Sequence, residues 1–110
     1  MRNFYTSVLT RKQTIRQDFQ THPYETAWAR EAMFFITLDE IASGARLQAT
    51  VQVSPDGIRW ADEGTAFAAI DKPGVYFVKV REFGGWLRLN CQMEGTDPFI
   101  ETTIHLALKE

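Results

Sequence analysis

The sequence places four side chains that suit molecular recognition at alternate positions of one predicted strand. They are Trp86, Arg88, Asn90 and Gln92. The residues between them are mostly apolar, and successive side chains of a strand point to opposite faces, so these four are predicted to face outward. An indole, a guanidinium and two amides can stack on a sugar ring or anchor a protein partner. The alternative is structural: Trp86 covers one end of the fold, and Arg88 pairs with Glu101 of the following strand.

The other two tryptophans receive different predictions. Trp60 is in register with Ile58 across a tight turn and is expected to face the core beside Val51 and Val53. Trp28 could extend an apolar face into an oligomer contact, because aromatics make up 13% of the chain and exceed what one small core needs. The alternative for Trp28 is a crowded core.

Residues that could catalyse a reaction are scarce. His22 lies beside a proline, and His105 falls on the outward side of the last predicted strand. Cys91 is in the inward register, where a thiol behaves as a small inert hydrophobe. Three carboxylates near one turn, Asp56, Asp62 and Glu63, lack the spacing of a calcium loop. We therefore expect no enzymatic activity, no cofactor and no metal site.

The elements that would position these residues are strands. Apolar residues alternate with polar ones over residues 47–53, 75–81, 86–93 and 100–108, and turns rich in Gly and Pro separate these segments. The pattern is typical of an all-β fold, an antiparallel β-sandwich of seven to nine strands that is jelly-roll-like. Residues 86–93 and 99–109 are close in the chain and are predicted to pair directly.

The first third of the chain allows more than one interpretation. Residues 25–32 contain good helix formers and could form one short helix capped by Thr26. Residues 33–40 are rich in β-branched and aromatic types, which favours a strand. Both faces of that strand are apolar, so it is either central and covered on both sides or in contact with another subunit. Residues 1–20 are expected to be a docking arm or an edge strand.

Length and charge limit the class of protein. With 110 residues and a net charge of −2, the chain is predicted to be a single domain, 1–110, without the basic excess of a nucleic-acid-binding module. A single cysteine excludes an intrachain disulfide. The N-terminus lacks the apolar region of a signal peptide, and no apolar run could span a membrane. These features predict a protein that is cytoplasmic at synthesis and binds neither membrane nor nucleic acid.

Two resemblances add to this interpretation. The segment VQVSPDGIRW, residues 51–60, is similar to the strand–turn–strand hairpin of discoidin-type (coagulation factor 5/8 C-terminal) binding sandwiches, although Cys91 alone cannot supply that family's terminal cysteine pair. Over residues 47–109, the succession of SPDG, DKPGVYFVKV and GGWLRLNCQMEGTDPFIETTIHLALK resembles small β-sandwich proteins encoded among bacteriophage virion genes. The second resemblance implies a head-decoration, cement or tail-associated subunit.

The sequence thus predicts a non-catalytic structural or assembly subunit that self-associates and binds a larger protein assembly, such as a virion. The predicted binding residues are Trp86, Arg88, Asn90, Gln92 and Trp28. The alternative is a carbohydrate-binding module that uses the exposed Trp86 and Arg88 face.

Overall fold

A computed structural model describes residues 4–81 and 83–110 and shows two antiparallel β-sheets packed face to face. Nine strands lie within these residues: β1 (Phe4–Ile15), β2 (Phe19–Gln20), β3 (Tyr24–Glu25), β4 (Glu31–Ile41), β5 (Arg46–Ser54), β6 (Ala61–Ala66), β7 (Gly74–Arg81), β8 (Trp86–Glu94) and β9 (Ile100–Lys109). The described part of the chain contains no helix that is long and apolar enough to cross a membrane.

The order of the strands is that of a jelly roll. The first sheet has the order β1-β9-β4-β7, and the second has the order β2-β8-β5-β6, with β3 also pairing with β8. If β2 and β3 are taken as two halves of one interrupted strand, the described chain crosses between the sheets at every connection except the β5–β6 hairpin. The predicted all-β antiparallel sandwich is confirmed.

The core lies between the sheets and follows the alternation of the strands. In β4 the inward side chains Phe34, Ile36 and Leu38 are buried. Across the core, β5 and β8 contribute alternate apolar residues such as Val51 and Leu89, which are also fully buried. Burying these side chains is the main force that holds the two sheets together.

The helix predicted for residues 25–32 is wrong. Thr26 is tied to the chain before β8, because its backbone N–H and its hydroxyl both donate to the carbonyl of Gly85, at 2.7 and 2.8 Å. A short turn follows, in which the N–H of Ala27 donates to the carboxylate of Glu25 at 2.7 Å. The two long-range bonds to Gly85 and the pairing of β3 hold the segment beside the start of β8, so these tertiary contacts prevail over the helix propensity of its residues.

The direct pairing predicted between residues 86–93 and 99–109 is also wrong. β8 pairs with β5, β2 and β3, whereas β9 lies in the other sheet between β1 and β4. The turn after β8 carries the chain from one sheet to the other, so the two strands face each other across the core. Arg88 therefore has no cross-strand partner in Glu101, whose carboxylate instead lies 3.9 Å from Lys12.

The N-terminal segment lies within the sandwich for most of its described length. β1 forms one edge of the first sheet and pairs with β9, with two register shifts, between Val8 and Thr10 and between Thr10 and Gln13. Farther along, β2 pairs with β8. Residues 1–3 of the predicted docking arm or edge strand lie outside the described residues.

Candidate interaction surfaces

One outer face of the sandwich is polar, and we call it the polar face. It consists of the outward side chains of the second sheet, namely Gln20, Gln48, Thr50, Gln52, Arg88, Asn90 and Gln92. Most of these amides are bonded to neighbours on the same face. Gln20 donates to Asn90 at 2.9 Å, Gln48 donates to Glu94 at 2.8 Å, and Gln52 donates to Asp62 at 3.1 Å. The cross-strand registers of β2 with β8, of β5 with β8 and of β5 with β6 bring these groups together.

Arg88 is the centre of the polar face. Its Nε donates to Oε1 of Gln52 at 2.8 Å, and its guanidinium carbon lies 4.2 Å from the centroid of the Trp60 ring. Partial burial lowers the pKa of Arg88 from its usual value, but an arginine side chain stays charged at any physiological pH. The guanidinium is therefore held between an amide and an aromatic ring, in a fixed orientation.

The prediction that Trp60 faces the core is wrong. Its ring is half-buried on the polar face, beneath Arg88. The prediction assumed that strand alternation resumes directly after the turn, but the paired part of β6 begins only at Ala61. Ile58, which was placed in the same register, is 78% exposed. The irregular segment between Ser54 and Ala61 thus reverses the direction in which Trp60 points.

A hydrogen-bonded turn at one end of the polar face holds Trp86. The buried hydroxyl of Ser54 accepts from the N–H of Gly57 at 2.8 Å and donates to Asp56 at 3.0 Å. The same carboxylate oxygen accepts from the N–H groups of Ile58 and Arg59, each at 2.9 Å. These backbone bonds, that from Arg59 first, lower the pKa of Asp56.

The indole of Trp86 covers this turn. A methyl group on Gly57 would lie 3.2 Å from the Trp86 ring, so the two already meet at close range. Gly57 also has a φ of 79°, a backbone conformation that favours glycine. The Pro-Asp-Gly sequence after Ser54 is therefore both a turn and a platform for the indole.

An open groove of about 660 Å³ lies beside this turn. Its walls include Trp60, Arg59 and Pro55 on one side, and Gly84 and Gly85 on the other. Gly85 has a φ of 80°, and a side chain there would collide with the carbonyl oxygen of Ser54. The glycine thus allows the segment just before β8 to approach the turn, and this approach shapes the groove.

The structure places the predicted binding residues in two regions. Trp86, Arg88, Asn90 and Gln92 share the outer side of β8, at alternate positions. Arg88 and Asn90 are engaged with neighbours, and Trp86 is engaged with the turn, whereas the side chain of Gln92 is exposed. Trp28 lies in the turn between β3 and β4 and is 38% exposed, apart from that strand.

The opposite outer face, which belongs to the first sheet, carries apolar side chains among polar ones such as Thr103 and Lys79. One row of cross-strand neighbours runs Val8, His105, Phe35 and Phe77, from β1 through β9 and β4 to β7. The rings of Phe35 and Phe77 have centroids 6.1 Å apart. Phe77 is 53% exposed, and Val75, two residues earlier on β7, is 67% exposed. We call the set Val8, Met33, Phe35, Val75 and Phe77 the apolar face.

Phe77, Val75 and Val8 are not among the binding residues predicted from the sequence. The sequence nevertheless indicated an apolar outer surface, since the strand at residues 33–40 has apolar residues on both sides. The core needs only one of those sides, the one that carries Phe34, Ile36 and Leu38. The surplus on the other side, Met33 and Phe35, is continued by the outward residues of β7.

Several side chains considered for metal binding or catalysis are engaged or buried in the described structure. No group of three or more metal-ligating side chains occurs among residues 4–81 and 83–110. Two of the carboxylates considered for calcium have other partners, since Asp56 accepts from the turn and Asp62 accepts from Gln52. Burial raises the pKa of the Cys91 thiol to about 12, so this side chain is not a ready nucleophile.

Comparison with known proteins supports the fold. No protein-family model matches the chain, and no curated protein matches it. Among solved structures, the SPBc2 prophage-derived protein YomS matches with a TM-score of 0.61 and 6% identity, over 100% of this chain and 96% of that protein. The Yersinia pseudotuberculosis-derived mitogen matches with a TM-score of 0.42 and 13% identity, over 99% and 84%. The likeness to the prophage-derived protein extends over the whole sandwich and shows a shared fold.

Proposed function

We propose that this protein is a non-catalytic structural subunit that buries its apolar face against protein in a larger assembly. The observation that carries the proposal is the exposure of Val75 and of Phe77, whose ring lies against that of Phe35 on the first sheet. Contiguous apolar surface of this kind usually marks a contact with protein or membrane. An assembly of protein subunits is the occupant that the all-β fold and the prophage-derived neighbour favour.

The contrast between the two outer faces supports this assignment. The side chains of the polar face are hydrogen-bonded to each other. A partner that binds there would have to break those bonds or bind only the donors and acceptors that they leave unpaired. Phe77 and Val75 have no polar groups to satisfy, and covering them removes apolar surface from water. Association through the apolar face is therefore favourable without any rearrangement of the sandwich. A virion is the type of assembly that the sequence resemblance and the fold together favour.

Site-specific photo-cross-linking tests this proposal. A photoreactive phenylalanine analogue replaces Phe77 in one protein and Gln92, on the polar face, in a matched control. The proteins are produced in the native host, irradiated, and their products identified by mass spectrometry. We expect a protein cross-linked from position 77 and absent from position 92, and Phe77→Lys should abolish its binding to the purified partner. Equal or absent cross-linking at the two positions would overturn the proposal.

The groove beside Trp60 favours a second candidate function, the binding of a sugar ring. Trp60 offers an aromatic surface, Arg59 is exposed at the rim, and Arg88 fixes the orientation of the ring. Aromatic rings and polar groups placed in this way are typical of carbohydrate sites. A glycan array compares the native protein with Trp60→Ala and Trp86→Ala. Binding that is lost in Trp60→Ala would support this function, and the absence of binding to any glycan would exclude it.

A further inference from the structure

The four sheet edges of the described sandwich differ in how well they are protected. β1 has two register shifts, a left-handed backbone at Lys12, and a neighbouring charge in Arg11. β6 carries two acidic residues and a register shift against β5. β2 and β3 are two residues each. Bulges, charges and short strands are the usual devices that prevent edge-to-edge pairing.

β7 has fewer of these devices, although it carries Lys79 and Arg81 and residues 67–69 lie beside part of it. It pairs with β4 through eight consecutive residues, from Arg81 to Gly74, without a register shift. No other described strand pairs with it. Its central residues Val75, Tyr76, Phe77 and Val78 are β-branched or aromatic and suit a strand. An edge of this kind exposes unpaired backbone N–H and C=O groups beside apolar side chains, which is a template for another strand.

We infer that β7 pairs in antiparallel fashion with β7 of a second copy of this chain. The inference rests on the proposed function, because it names the first protein that the apolar face contacts. A two-fold axis at Tyr76 sets Val75 opposite the partner's Phe77, and Phe77 opposite the partner's Val75. Each pair joins a β-branched residue to an aromatic one, a favourable cross-strand combination. The two most exposed side chains of the apolar face then cover each other.

This register gives more favourable residue pairs than a register with the two-fold axis at a neighbouring residue. An axis at Phe77 would set Val75 opposite the partner's Lys79 and leave an apolar side chain beside a charge. An axis at Tyr76 places Gly74 opposite the partner's Val78 and leaves Lys79 beyond the apolar pairs. The result is a continuous eight-stranded sheet in which the apolar faces of both copies lie side by side.

The charges at the two ends of β7 also favour the antiparallel arrangement. Exposed Asp71 precedes the strand, and exposed Arg81 ends it. Antiparallel pairing brings the Arg81 end of each copy toward the partner's Asp71, whereas parallel pairing would bring like charges together. Arg81 is available for this contact, because its interaction with Glu31 is a 3.9 Å pair between two largely exposed side chains.

Cysteine cross-linking between two single variants tests the register. Val75→Cys and a longer, tagged Phe77→Cys are prepared separately and then mixed under mild oxidation with copper phenanthroline. Residues directly opposite in an antiparallel pair are within disulfide distance, whereas two copies of the same variant place their thiols two residues apart. The native Cys91 does not interfere, because it is fully buried. Val8→Cys, on the opposite edge of the sheet, is the matched control.

We expect the mixture to form a mixed disulfide at least ten times faster than either variant alone or either variant with Val8→Cys. Equal rates in all samples would overturn the inference, and so would faster cross-linking of one variant with itself. Circular dichroism verifies that each variant is folded. The experiments can distinguish failure of this inference from failure of the proposed function. If Phe77 photo-cross-links to a different protein while the cysteine mixture stays monomeric, the assembly role stands and only the second copy is wrong.

Discussion

The two outer faces of this sandwich arise from the same strand alternation but differ in what their side chains contact. On the second sheet, outward amides and Arg88 bind one another and Trp60, so the polar face is part of the stability of the folded monomer. On the first sheet, Val75 and Phe77 are largely exposed, although the ring of Phe77 lies against that of Phe35. Side chains that look most suited to recognition can thus be structural, and the recognition surface that we propose consists of surplus apolar residues.

Gly85→Ala should cause the largest loss of stability, because it disrupts the packing at one end of the polar face. The left-handed φ of 80° and the contact with the Ser54 carbonyl leave no room for a side chain. Strain and overpacking together should lower the free energy of unfolding by about 2–4 kcal/mol, measured by urea denaturation. Gly84→Ala is the matched control, because nothing lies within 4 Å of a methyl group there. Equal losses in both variants would contradict the explanation.

Arg88→Ala should have the next largest effect, because it removes the central contact of the polar face. Gln52 loses a charged hydrogen-bond donor, and Trp60 loses the guanidinium above its ring. We expect a loss of about 1–3 kcal/mol in the free energy of unfolding. A double-mutant cycle with Trp60→Ala should be non-additive, since the two side chains are in contact. Gln92→Ala, at an exposed position on the same strand, should change stability by less than about 0.5 kcal/mol.

Phe77→Thr should leave the monomer nearly as stable as the native chain. This result would distinguish the apolar face from the polar face, where substitutions reduce stability. Threonine keeps the preference for a strand, and more than half of the Phe77 surface already faces solvent. We expect a change of less than about 1 kcal/mol in urea denaturation. Light scattering should at the same time show a clear decrease in self-association. A loss of stability as large as that of Arg88→Ala, without any change in association, would make Phe77 a structural residue like those of the polar face.

Asp56→Asn should have the smallest effect, and one that depends on pH. The folded state lowers the pKa of Asp56, so the carboxylate adds stability above its unfolded pKa. This contribution is lost as the pH falls through the lowered pKa in the folded state. The variant should therefore be less stable than the native protein at neutral pH, and the difference should shrink in acid. A difference that stays constant from neutral pH to acid would show that the carboxylate charge is not what stabilises the turn.

Much of the fold could be predicted because it depends on local patterns. The alternation around Leu47, Val51 and Leu89 identifies inward residues, and the Ser-Pro-Asp-Gly turn identifies the end of a strand. The sharing of one face by Arg88 and Asn90 follows from the same period of two. The site was harder to predict, since the sequence does not say whether an outward side chain already has a partner. Gln52 and Trp60 both contact the side chain of Arg88, and neither is near it in the chain.

The sequence by itself determined that this protein is an antiparallel β-sandwich, because burying one side of each alternating strand requires two sheets. Only the tertiary structure decided that β8 and β9 belong to different sheets, that Trp60 points outward, and that β7 is an edge strand. The physical reason is that alternation specifies which side of a strand is apolar but not which strand lies beside it. Strand neighbours are chosen by long-range packing and by turn geometry, and it is those neighbours that leave Phe77 exposed and Arg88 occupied.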